Sequence, residues 1–193
     1  DWKELVGETK NVLENAQFAA DKLVLSYSKD ASTHLYVYSL DGKELNEIKL
    51  PTVGRASFSG ERGQKECFYS FASFTVPGAI YQYDMAQNKS SVYTEPKVKF
   101  SLNQYTTEQV FFNSKDGTRV PMFLTYRKGL KRNGKNPVLI YGYGGFNVSL
   151  SPNFSSMRIP FLENGGVYVQ VNLRGGSEYG EEWHVAGTKM QKQ

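Results

Sequence analysis

Two tyrosines, three glycines and a phenylalanine crowd into "YGYGGF", residues 141 to 146. Glycine is placed where backbone turns sharply or where something must approach it closely. A phenol is a good hydrogen-bond donor while it keeps its proton, which it does up to about pH 10. A glycine-rich loop that follows an apolar strand and displays such donors suits an oxyanion hole, where N–H and O–H groups meet the charge that develops in acyl transfer. The competing reading of Tyr141 and Tyr143 is ordinary packing, and spacing alone leaves both open.

Other chemistries are less well served. A nucleophile elbow needs G-x-S-x-G, and no such pentapeptide occurs in the 193 residues. "GGSEYG" comes nearest, but Tyr179 stands where a glycine is required. The histidines are His34 and His184; pairing Ser177 with His184 gives at best an unsupported dyad, with no third group to orient it. "GYGGFN" lacks the last glycine of a dinucleotide fingerprint, which would fall at Asn147, and no phosphate-loop motif is present. Cys67 is alone, so neither an internal disulfide nor a cysteine-based metal site can form, and two histidines make a His-rich zinc site a poor expectation. No metal and no organic cofactor is expected.

Composition is that of an ordinary globular chain, 39% hydrophobic and 22% charged, with a net charge of +4. The basic residues are scattered except for Arg127, Lys128, Lys131, Arg132 and Lys135, which read as a solvated loop and not as a nucleic-acid surface. No apolar run is long enough to span a bilayer, and no signal peptide opens the chain. A soluble protein of the cytoplasm or periplasm is expected, without a choice between them. The first residue is Asp1, so the chain is expected to begin inside a longer one.

The elements that must position the glycine loop fall into two styles. "KLVLSYS" (22–28) and "HLYVYSL" (34–40) are short runs rich in aromatic and β-branched residues, with an Asp-Gly turn and "NEIKL" after them. The syntax repeats: "ECFYSFAS" echoes the first run, and Tyr81 and Tyr83 follow Tyr36 and Tyr38 by 45 residues. A period of that length with four strands per unit predicts propeller blades, about two of them. From about residue 99 the style changes. "EQVFFNSKDGTRVPMFLTY" predicts a hairpin, and "PVLIY" and "VYVQVNL" predict apolar strands that each end in glycines. A short helix between them, over Ser155–Leu162 and started or interrupted at Pro160, would make a parallel pair covered on both faces. The expected fold is therefore β-rich plus α/β: residues 1–98 as the last blades of a β-propeller, and 99–193 as the first strands of an α/β-hydrolase sheet.

Read as whole stretches, "SKDGTRVPMFLTYRKG", "NPVLIYGYGGFNVSLSPNFS" and "GGVYVQVNLRGGSEYGEEWHVAG" resemble the opening of the peptidase domain of the prolyl oligopeptidase family of serine peptidases, over roughly residues 105–188. Upstream, "FYSFASFTVPGAIYQYD" resembles the last two blades of that family's seven-bladed propeller. One departure is visible: Ser177 stands where "RGGGEYG" is the commoner form. The resemblance implies a serine endopeptidase that cuts short peptides after proline, with proline-containing oligopeptides as substrate and no cofactor. It implies Tyr143 as a side-chain donor in the oxyanion hole and Phe146 as a wall of the proline pocket. Arg174, Glu178, Trp183 and His184 would be loop architecture. The family's serine, aspartate and histidine would lie downstream of this sequence, so the 193 residues alone are expected to be inactive and to associate through exposed sheet edges. The alternative is a non-catalytic β-rich scaffold or binding module.

Overall fold

A computed structural model describes residues 3–192. Three four-stranded sheets account for its strands. The first is an antiparallel meander of β1 (Val12–Ala19), β2 (Lys22–Lys29), β3 (Ser32–Ser39) and β4 (Glu44–Ile48). The second repeats it with β5 (Arg55–Ser59), β6 (Glu66–Ser73), β7 (Val76–Asp84) and β8 (Lys89–Thr94). The 45-residue echo in the sequence is the correspondence of β2 with β6 and of β3 with β7.

The two sheets share one core. Val24, Leu35, Val37 and Ile48 of the first meet Phe58, Tyr69, Phe71 and Tyr83 of the second. Alternation puts these residues on one face, because successive strand side chains point to opposite sides. Cys67 is fully buried here, as a small apolar residue with no charged partner.

The third sheet has the order β11-β12-β10-β9. Strands β9 (Tyr105–Asn113) and β10 (Arg119–Arg127) form the predicted hairpin, and β10 pairs antiparallel with β12 (Val167–Val171). Strand β11 (Val138–Gly142) runs parallel to β12 at the sheet edge. The link between them contains a 3-10 turn at Ser156–Arg158 and a short helix, α1 (Ile159–Glu163), with Pro160 in its first turn. Proline is tolerated there because its missing N–H has no partner in a first turn anyway.

Cover on both faces is not realised at β11. All five of its residues are exposed, although four of them are Val, Leu, Ile and Tyr. The interior neighbours β10 and β12 are buried, and the edge strand has no further element against it among the described residues.

Two tight turns of the blades carry the third sheet. Asp30 and Ala31 form the two-residue β2–β3 turn, both at positive φ (50° and 62°). Ala31 and Phe74, from the β6–β7 turn, pack with Phe123, Tyr168, Ile159 and Leu162. The Phe74 ring lies 5.6 Å from that of Phe123 and 5.8 Å from that of Tyr168. Tyr179 donates its hydroxyl to Asp30 Oδ1 at 2.7 Å, and Gln109 donates to the Asp30 carbonyl. Burial, and then the hydrogen bond to Asp30, push the Tyr179 phenol well above its ordinary range.

Candidate functional site

The loop after β11 turns by local geometry that few sequences permit. Gly144 has φ +57°, and a Cβ there would sit 2.5 Å from the Leu173 Cβ and 2.9 Å from the Arg174 carbonyl oxygen. The segment after β12 therefore lies hard against the loop, and only glycine leaves room for it. Next comes a turn closed by the Val148 N–H on the Gly145 carbonyl (3.1 Å), with Phe146 and Asn147 both at positive φ (53° and 58°). Asparagine tolerates this region; a phenylalanine there costs about 1–3 kcal/mol and is found where surrounding structure enforces it.

The turn displays two rings. Tyr143 is 47% exposed and Phe146 85% exposed, with centroids 6.3 Å apart and planes tilted by 36°. They stand at the carboxyl end of a parallel strand, which is where open α/β sheets present their ligand-binding loops.

Below the rings, the loop is tied to residues 172–192. The Asn147 N–H donates to the Gly175 carbonyl at 3.1 Å. Ser177 Oγ donates to the Asn147 carbonyl at 2.9 Å and lies 2.8 Å from Ser149 Oγ. Lys192 Nζ donates to the carbonyls of Gly144 and, at 2.9 Å, Arg174. The short helix α2 (Glu181–Val185) supports this layer: Trp183 Nε1 donates to the Leu173 carbonyl (3.2 Å), and His184 Nδ1, which must carry the proton, donates to the Gly175 carbonyl (2.8 Å).

Arg174 anchors the same segment to the β9–β10 turn. Its guanidinium donates to Asp116 Oδ2, Thr118 Oγ1 and Ser114 Oγ. The Asp116 carboxyl is held down at about 2, first by the Thr118 backbone N–H and then by Arg174.

Each residue singled out in the sequence has a place in this arrangement. Tyr143 and Phe146 come together at the surface. Arg174, Glu178, Trp183 and His184 all lie in the layer beneath them, although His184 sits on a helix where a loop was expected. Ser177 and His184 bond to separate backbone carbonyls, so no dyad forms. The basic stretch from Arg127 to Lys135 is exposed, with Arg132 paired to Glu108 at 2.6 Å. Among the described residues there is no group of three His, Cys, Asp or Glu able to hold a metal, and no helix long and apolar enough to cross a membrane. Sequence reasoning missed the roles of Ser149, Asn172 and Lys192, whose partners are distant in sequence.

Residues 1–96 match the family model described as the prolyl oligopeptidase N-terminal beta-propeller domain, and residues 152–193 match the model of the prolyl oligopeptidase family. The stretch between them holds Tyr143 and Phe146, and is covered by alignments to whole relatives. A prolyl endopeptidase of Elizabethkingia meningoseptica is 47% identical over 192 residues, 99% of this chain and 27% of that protein. One from Dictyostelium discoideum is 37% identical, across 100% of this chain and 26% of its own length. Among solved structures, a prolyl endopeptidase from a study of inter-domain dynamics in catalysis and specificity is 44% identical, with a TM-score of 0.86, over 96% of this chain and 28% of that one. Prolyl oligopeptidase B of Galerina marginata, bound to a 25mer macrocyclization substrate, gives a TM-score of 0.89 at 32% identity, over 98% of this chain and 27% of that one. The chain spans about a quarter of the length of these relatives.

Proposed function

The chain belongs to the prolyl oligopeptidase family, and from that premise we propose that it forms part of a serine endopeptidase that hydrolyses short peptides on the carboxyl side of proline. Residues 1–98 supply two blades of its β-propeller, and 99–193 the opening strands of its α/β-hydrolase peptidase domain. Tyr143 donates its hydroxyl to the oxyanion of the tetrahedral intermediate, alongside a backbone N–H supplied from outside this sequence. Phe146 offers its ring to the substrate proline, a rigid apolar surface against another.

The observation that carries this reading is the pairing of the two rings on one strained turn at the end of β11. A donor aimed at developing charge must be held in place before reaction, so that no reorganisation is needed at the transition state. The hydrogen bonds beneath the loop supply that rigidity. Metal or cofactor chemistry has no part in the mechanism proposed.

No G-x-S-x-G exists in the 193 residues, and Ser177 is engaged with the loop. The chain by itself is therefore expected neither to cleave proline peptides nor to react with a fluorophosphonate. A polypeptide of the relatives' length that carries this sequence should gain one fluorophosphonate adduct by intact mass and cleave a proline-linked fluorogenic peptide. Absence of both would contradict the peptidase reading. The apolar edge at Val138–Tyr141 favours self-association of the 193-residue chain, because unpaired strand edges are templates for further pairing. Sedimentation velocity should show oligomers that Ile140→Lys disperses; a monomer at high concentration would remove this proposal.

A further inference from the structure

Glu178 is a fully buried acid, 1% exposed, that forms no ion pair among the described residues. Its Oε1 accepts the Leu150 backbone N–H at 3.0 Å and Asn172 Nδ2 at 3.1 Å. That same Asn172 nitrogen donates to the Leu150 carbonyl at 2.7 Å, and Gln170 Nε2 reaches the carbonyl at 3.4 Å. Both backbone polar groups of Leu150 are thus held by side chains from β12 and the segment after it. Glu178 Oε2 and Asn172 Oδ1 have no hydrogen-bond partner among the described residues.

An acid in such a place is costly. Burying an ionisable group needs compensation, and an oxygen left unpaired adds to the cost. Core filling alone would be met better by leucine or methionine. What an apolar residue cannot do is accept the Leu150 N–H. Gly176 makes the placement possible: a Cβ there would lie 2.2 Å from Glu178 Oε2 and 2.7 Å from the Val148 carbonyl oxygen. The carboxyl therefore fits under the loop only because the residue two positions before it has no side chain.

We infer that Glu178 is a positioning residue that fixes the downstream end of the loop bearing Tyr143 and Phe146, acting through Leu150. The loop has two ends. Strand β11 fixes the first at Gly142, and the second continues into an irregular stretch, Ser149–Ser155, with no strand or helix to hold it. Without a second anchor, the strained turn at Phe146–Asn147 would relax, because a phenylalanine at positive φ persists only when its surroundings enforce it. Ser177 holds the middle of the span and Glu178 its end. The consequence for catalysis rests on the peptidase reading of Tyr143; the anchoring itself does not.

Amide hydrogen exchange read residue by residue by mass spectrometry on a polypeptide of the relatives' length tests this. Glu178→Ala should speed exchange at Leu150 and Asn147 on the order of 10-fold or more, while amides of the β10–β12 ladder such as Phe123 and Thr125 change far less. Glu178→Gln keeps the acceptor at the same reach and should restore protection at Leu150. Glu178→Asp keeps the charge but retracts it by one methylene, and should loosen Leu150 as alanine does. If alanine prevents folding, the contrast between Asp and Gln decides. Unchanged exchange at Leu150, equal acceleration at Phe123, or a Gln variant as loose as the Asp variant would each overturn the inference. In a polypeptide of the relatives' length, Glu178→Asp should lower kcat by a larger factor than it raises KM. A loosened loop with kcat unchanged would count against Tyr143 as oxyanion donor and leave the anchor standing.

Discussion

The blade sheets and the third sheet are built from similar strands and finished differently. Between the blades, Leu35, Val37, Tyr69 and Phe71 are wholly buried, each face closed by the other sheet. In the third sheet, "VLIY" is just as apolar, yet every residue of β11 is exposed. The buried core of this chain lies between the paired blades, at the seam around Phe74 and, in the third sheet, among Val120, Val169, Val171 and Trp183. The geometry of the candidate site resides in hydrogen bonds beneath a loop whose upper side is open. Packing and positioning are separable here, and substitutions should reveal it.

The largest effect on stability is expected in the blade core. Phe71→Ala should cost about 3–5 kcal/mol, by lost transfer energy and by the cavity left behind. Ile140→Ala on β11 should stay within about 0.5 kcal/mol, the range of exposed positions. Urea unfolding of both variants breaks the comparison if Ile140→Ala costs as much as Phe71→Ala. A smaller effect belongs to the seam. Tyr179→Phe keeps the ring against Trp183 but removes the bond to Asp30, and should cost about 1 kcal/mol. Since the folded Tyr179 phenol lies above its ordinary value of 10.0, its contribution is fully present below about pH 10 and is lost as pH rises further. Unfolding midpoints should fall less steeply above pH 10 in Tyr179→Phe than in the parent; equal slopes would exclude the bond from the seam.

The smallest effect sharpens the picture of the layer beneath the loop. Asp116 titrates at about 2 against an ordinary 3.8, so its favourable contribution is present above about pH 4 and disappears as pH falls toward 2. Arg174→Gln should raise the Asp116 value only part of the way, because the Thr118 N–H is the larger cause and remains. Carboxyl carbon shifts followed by NMR would read this directly. A full return to the ordinary value would mean that Arg174 alone holds the turn.

Much of the scaffold was legible because it is local. Strands β2, β3, β6 and β7 sit at the centres of their sheets, and their Tyr, Val and Leu content made the repeat visible. Strands β1 and β5 escaped notice: "ENA" within β1 is exposed and has little apolar surface, and β5 is only five residues long. The hairpin, the parallel pair and the helix at Pro160 followed from alternation and glycine boundaries. Exposure of β11 could not be read, since an apolar run looks the same whether or not anything covers it.

The site was legible only in outline. Glycines and tyrosines marked the loop, but the roles of Tyr143 and Phe146 came from resemblance to a family; spacing alone leaned toward ordinary packing of the tyrosines. What Gly142 and Gly144 accommodate is the Leu173 side chain and, at Gly144, the Arg174 carbonyl, about 30 positions away. The anchors are farther from any local signal: Glu178 reaches back to Leu150, and Tyr179 reaches Asp30 across 149 residues. "GEEWHV" gave no sign that His184 would serve a backbone carbonyl from a helix, because that role depends on a partner fixed by tertiary structure.

Tyr143 is proposed here as the side-chain donor to an oxyanion. The most direct test is steady-state hydrolysis of a proline-linked peptide by a polypeptide of the relatives' length that carries Tyr143→Phe. If Tyr143 is that donor, kcat falls about 10²–10³-fold while KM stays nearly unchanged, as when a contact made only in the transition state is lost. An unchanged kcat would contradict it and return Tyr143 to the ordinary surface.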